Sequence, residues 1–224
     1  MEMKIKDIMT ELGGAFTVTW LIMGITVWSG DVGTSAPLVA GLGMASLGGM
    51  LALGVAWMAF SGAHILPPVT WMHAMTSDDM TDQNMWMGTV IRLITQVVGA
   101  VLAIIMMSKL QPDFVTYSQA WPDGQASYEF AMWSVVGLLA AGAILGQIQA
   151  KAGSTWAMPI AVMAMATIVN FESAADMASM LMNGQEDAMA VTIPWLVDGL
   201  VIGVGALMGM KIDEMIANAD SSEE

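Results

Sequence analysis

Glu11, Glu129, Asp198, His64 and His73 are ionisable side chains within or beside apolar stretches of this chain. An ionisable group in an apolar span is a functional candidate by default. The carboxylates of Glu11 and Glu129 suit either a proton relay or acceptors for backbone N–H groups of a neighbouring loop. Asp198, beside Gly199 in the sixth span, is a charge whose place is either the outer interface or beside a polar group elsewhere in the fold. His64 suits a structural role in its own loop, since His73 is the only other histidine and two imidazoles do not complete a metal site. The apolar spans hold no metal-ligand cluster and no nucleophile with a His or Lys at catalytic spacing, so neither enzyme nor cofactor is expected. Cysteine is absent, which removes disulfides and thiolate chemistry. Methionine is abundant, at 25 residues, but it is spread over every span; pliable packing is the reading, not soft-metal binding.

The element that must position these groups is Ser61-Gly62-Ala63-His64-Ile65-Leu66-Pro67-Pro68-Val69-Thr70. Two adjacent prolines cannot continue a helix interior, because each lacks an N–H and disfavours helical angles in the residue before it. Proline does begin helices well. A span therefore ends near Ser61, and a short re-entrant helix starts at Pro67, expected over 66–76. Irregular backbone at that depth is tolerated only where protein or a water-lined cavity satisfies it.

The surrounding chain reads as an all-α membrane protein. Of 224 residues, 56% are apolar and only 12% charged, with a mean hydropathy of +0.66. The apolar blocks run roughly 17 to 25 residues, enough to cross about 30 Å at 1.5 Å per residue. Six spans are expected: 11–28, 37–60, 85–108, 126–148, 155–171 and 188–210. The two lysines before the first span precede no convincing cleavage pattern, so that span is expected to be retained. With the N-terminus cytoplasmic, Lys4, Lys6, Arg92, Lys151 and Lys211 fall on the inner side and only Lys109 outside, which places both termini in the cytoplasm of a cell membrane. The net charge of −14 implies an acidic loop and tail surface and argues against nucleic acid as a partner. Residues 218–224 read as a disordered acidic tail. Small residues at helix-contact spacing, Gly142 with Gly146, Gly199 with Gly203, Gly205 with Gly209 and Gly99 with Ala103, predict close helix packing.

An internal repeat organises the spans. Glu11-Leu12-Gly13 reaches Gly24, and Glu129-Phe130-Ala131 reaches Gly142, at the same internal spacing; Ser61-Gly62-Ala63 has its echo in Ser173-Ala174-Ala175. Two halves, 1–112 and 113–217, each with three spans, must have opposite orientations, the mark of an inverted repeat.

With these residues in view the chain resembles the major intrinsic proteins, the aquaporins and glycerol facilitators, whose first signature runs S-G-A-H-x-N-P-A-V-T. Glu11, Glu129 and Gln96 with Gly99-Ala100 match other family positions. The resemblance implies six spans plus two re-entrant half-helices, the second near 178–187, and a homotetramer in the lipid bilayer with one pore per protomer. It implies loop support by Glu11, His64 and Glu129. The pore centre maps to Leu66, Pro67 and Pro68 with Ala178, Ser179 and Met180, and the outer constriction to Ser46, Ala166, Ala175 and Leu181. Both signature asparagines and the following arginine are missing from these positions, so the implied pore is wide and apolar. The expected function is passive permeation of a small neutral solute: water, a glycerol-like polyol, or a less polar molecule or gas. A proton-coupled transporter and a non-conducting structural relative are the alternatives.

Overall fold

A computed structural model describes residues 4–29, 44–110, 131–166, 168–169, 171, 173–183 and 188–220. Glu129 and the Ser46 side chain lie outside the described set. Eight helices occur among the described residues: α1 Ile5–Ser29, α2 Met44–Ala59, α3 Pro67–Met75, α4 Gln83–Leu110, α5 Met132–Lys151, α6 Ala157–Met165, α7 Ala174–Asn183 and α8 Ala188–Asp220. No strand occurs among those residues.

The ends of these helices follow local chemistry. Helix α1 starts six residues before the expected span because Asp7 caps it, accepting from the Lys4 N–H at 3.1 Å. Asp82 does the same for α4, where its Oδ1 accepts from the Asn84 N–H at 2.8 Å. The turn before α4 is tied by Asp79, which accepts from both the N–H and the hydroxyl of Thr81. The Thr81 hydroxyl bond, followed by the backbone bond, holds the Asp79 carboxyl below its usual range.

Each expected span holds a helix, and two of these helices end well away from the expected residue. Helix α6 ends at Met165, six residues short of the expected Phe171; the β-branched Ile168 and Val169 follow, both folded back onto the Met165 carbonyl. Helix α8 runs on to Asp220, so residues 218–220 of the expected tail are helical. Its last turns carry a Lys211–Glu214 pair at 2.7 Å, and Lys151 of α5 reaches Asp213 at 2.7 Å. Among the described residues, α4, α5 and residues 192–219 of α8 are long and apolar enough to cross a membrane.

Packing places α1 against α4 and α2, and α5 against α8 and α6. The short helix α3 lies on α8 and α4, α7 lies on α4 and α8, and α2 meets α6. Exchanging α1–α4 with α5–α8 leaves this set of pairings unchanged. The close approaches come from the glycine pairs: a Cβ on Gly142 would strike the Ile202 carbonyl, and one on Gly205 the Leu139 carbonyl. A Cβ on Gly99 would likewise meet the Leu12 carbonyl of α1. With no hydrophobic driving force in lipid, such backbone approach supplies the dispersion contact that holds helices together. One apolar core joins α1, α2, α3, α5, α6 and α8 through Val18, Ala56, Met72, Leu145, Val162 and Ile202. A second joins α4, α7 and α8 through Leu93, Val97, Met177 and Trp195.

Candidate functional site

The loop between α2 and α3 is suspended from one carboxylate. Glu11, fully buried on α1, accepts from the His64 N–H at 2.9 Å through Oε2 and from the Ile65 N–H through Oε1. Arg92 of α4 meets Oε2 at 2.6 Å, and the Gln96 amide donates to Oε1 at 2.7 Å. That amide also donates to the Thr70 hydroxyl at 2.8 Å, and Thr70 Oγ1 donates to the Leu66 carbonyl at 3.2 Å. A buried charge is tolerable only when paired and hydrogen-bonded, and Glu11 meets both conditions. These bonds tie the loop to α1 and α4.

The loop needs holding because its backbone is strained. Gly62 has φ +88° and Ile65 has φ +68°. Ile65 lies inside a γ-turn in which the Leu66 N–H donates to the His64 carbonyl at 2.8 Å, a rare, strained geometry for a β-branched residue. Gly14 of α1 leaves the space that the Ile65 side chain fills. From the other side, the Trp57 indole donates to the Ala63 carbonyl at 3.1 Å.

The start of α3 is poor in hydrogen-bond donors. A helix leaves its first four N–H groups without intrahelical partners; here those residues are Leu66, Pro67, Pro68 and Val69, since the Thr70 N–H already reaches the Leu66 carbonyl. Leu66 is committed to His64, and the two prolines carry no N–H. Val69 alone keeps one. Leu66 adds no side-chain cap.

The second short helix begins elsewhere than the expected 178–187. Helix α7 starts at Ala174, so Ala178, Ser179 and Met180 lie in its second turn, with Ala178 and Met180 buried against α4 and α8. The reason is a capping box: the Asp176 carboxylate accepts from the Ser173 N–H and hydroxyl, each at 2.7 Å, while the Asp176 N–H donates to the Ser173 hydroxyl at 3.4 Å. Ser173 is thus the cap of α7 as Leu66 is of α3, and only Ala174 and Ala175 keep free N–H groups. The Trp195 indole of α8 pins the Ser173 carbonyl at 3.1 Å. Ala166 closes α6, Ala175 is half-buried in the first turn of α7, and Leu181 is 58% exposed.

Two polar chambers flank α3. One, of about 330 Å³, is lined by His64, His73, Asn84, Thr89, Arg92 and Asp7. The other, of about 250 Å³, is lined by Trp57, Ser61, Ala63, Val69, His73 and Gln149. His73 forms part of both walls. Its ring stacks on His64 with centroids 4.1 Å apart and planes 8° from parallel, and it hydrogen-bonds the Gln149 side chain. Among the described residues no group of His, Asp and Glu is arranged to hold a metal ion.

Sequence reasoning singled out Glu11, Gln96 and His64 but missed the site roles of Arg92, Thr70, Asp176 and Gln149. Two signals were readable. Arg92 and Gln96 are four apart and share a helix face. Ser173-x-x-Asp176 has the spacing of a helix start.

No model of a protein family matches the chain, and no curated protein matches it. Among solved structures, the X-ray structure of the aquaglyceroporin from Plasmodium falciparum superposes with a TM-score of 0.61 at 14% identity, over 90% of this chain and 93% of that one. The likeness is one of architecture, and with the apolar helices it establishes the chain as an all-α membrane protein with an aquaporin-like fold.

Proposed function

We propose that this chain is a membrane channel of the aquaporin type that passes a small neutral solute of low polarity, down its gradient. The observation that carries the reading is α3: a nine-residue helix opened by two prolines and slung from buried Glu11 within an aquaporin-like bundle. Helix pairings that survive exchange of the halves support an inverted repeat, with α3 and α7 as the opposed half-helices. On this reading the pore centre is formed by Leu66, Pro67 and Pro68 from one side and by Ser173, Ala174 and Ala175 from the other. Asp176 follows the second cap where the family motif places arginine.

Solute class follows from hydrogen-bond supply. A channel that conducts water efficiently replaces lost hydration with fixed donors and acceptors. Here the two helix starts offer three free N–H groups, on Val69, Ala174 and Ala175, and no side-chain amide. The core around Leu66 is apolar, built from residues such as Ile65, Val162 and Ile202. A polar solute would lose more than it recovered there, whereas a less polar one would lose little. Small residues at Ser46 and Ala166 leave the outer constriction wide, both termini lie in the cytoplasm, and four copies assemble in a cell membrane.

Solute-driven swelling of proteoliposomes tests the proposal. Permeability above that of empty vesicles should rise from water through polyols to less polar solutes, and a flat profile at the empty-vesicle level for every solute would refute conduction. The coupled-transporter reading is the weaker, because both oxygens of Glu11 are engaged, by two backbone N–H groups, Arg92 and Gln96. Solute uptake that requires an imposed pH difference would restore it.

A further inference from the structure

A cavity of about 470 Å³ lies on the side of the molecule where α3, α4, α7 and α8 meet. That volume falls within the ordinary range for small-molecule sites. Leu93, Val97 and Met177 form a buried floor, while Ile94, Val98 and Leu181 form an exposed rim. No charged residue lines it, and the hydroxyl of Thr89, its one polar aliphatic side chain, is already given to the Met85 carbonyl at 3.0 Å. The cavity's surface is almost wholly apolar, which suits neither a polar ligand nor a charged partner.

We infer that this cleft holds one acyl chain of a bilayer lipid against the two short helices. Three observations identify the occupant. The rim is continuous with the exposed apolar face of α4, which carries Val90, Ile94, Val98, Leu102 and Ile105, and α4 is long and apolar enough to cross a membrane; the medium at its mouth is therefore hydrocarbon. The wall on α4 extends from Trp86 to Val98, about 18 Å at 1.5 Å per residue, which matches one leaflet of a hydrocarbon layer roughly 30 Å thick. Tryptophan, the residue that anchors at the headgroup level, stands at that end as Trp86, whose indole donates to the Met80 carbonyl at 2.8 Å. A chain seated there touches Trp71 of α3 and Met177 of α7 together, so it buttresses both short helices from the lipid side. The inference needs only the membrane fold and holds whether or not the pore conducts.

Three of the nine tryptophans, Trp71, Trp86 and Trp195, line the cleft, and bromine on a lipid chain quenches indole on contact. The full chain, reconstituted in phosphatidylcholine brominated at mid-chain and then moved into lipid-free detergent, should retain quenching of up to a third of its fluorescence. A chase with unbrominated phosphatidylcholine should restore the signal in the wild-type protein. Filling the mouth with Ile94→Phe and Val98→Phe should abolish the retained quenching, while Trp133→Phe, outside the cleft, should not. The absence of retained quenching in the wild type would overturn the inference. So would quenching that survives in a folded cleft-filled variant, or a dimer in detergent whose fluorescence bromine does not touch.

Discussion

At the scale of single residues, Glu11 decides the site. Its two oxygens gather two backbone N–H groups, a guanidinium and an amide from two separate segments, the α2–α3 loop and α4. Glu11→Gln would set an amide donor against those donors and strip Arg92 of its counter-ion. Breaking a buried pair on one side typically costs about 3 kcal/mol, and unfolding in detergent should show a loss of about that size. Leu66→Asn asks a different question, since it returns a side-chain amide to the start of α3. Water permeability of proteoliposomes should rise several-fold; unchanged water flux would remove donor supply as the determinant of solute class. Glu11 was legible in the sequence because an ionisable residue in an apolar span stands out, and Gln96 because it matches a position of the family the chain resembles. The positive φ of Ile65 was not, because a β-branched residue gives no local hint of that conformation; the loop is held in it by contacts from α1 and α4.

At the scale of elements, the two short helices start by different means. Helix α3 relies on prolines, which any reader of the sequence can see, and its observed limits, Pro67–Met75, lie within the expected 66–76. Helix α7 relies on the Ser173–Asp176 box, a weaker signal overshadowed by the motif-like run up to Leu181, and so the expected start fell four residues late. Asp176→Asn keeps the size but weakens the cap, and Ser173→Ala removes the hydroxyl; each should destabilise the protein by about 1 kcal/mol, read as a lower midpoint in denaturant. The α5–α8 seam is tighter. Gly142→Ala would drive a methyl into the Ile202 carbonyl, and overpacking of that kind costs about 1–3 kcal/mol, measurable in the same unfolding assay. The glycine spacing announced these seams in advance, but it could not say which helix each glycine faces.

At the scale of the whole molecule, fold class was legible from hydropathy and from the repeated Glu and Ser-rich landmarks, because lipid permits few architectures. The shortness of α6 was not, since an apolar run looks alike whether or not all of it is helical. One consequence of the carboxylate cradle reaches back to how the chain is made. Arg92 follows Glu11 by 81 positions, so at ~5–20 residues per second the ribosome needs on the order of ten seconds to deliver the counter-ion. Throughout that interval the first helix carries its carboxylate without this partner, and a charge at the centre of an apolar span costs about 2.5–3.5 kcal/mol. The full set of hydrogen bonds that settles Glu11 therefore forms only once α4 has followed it out of the ribosome.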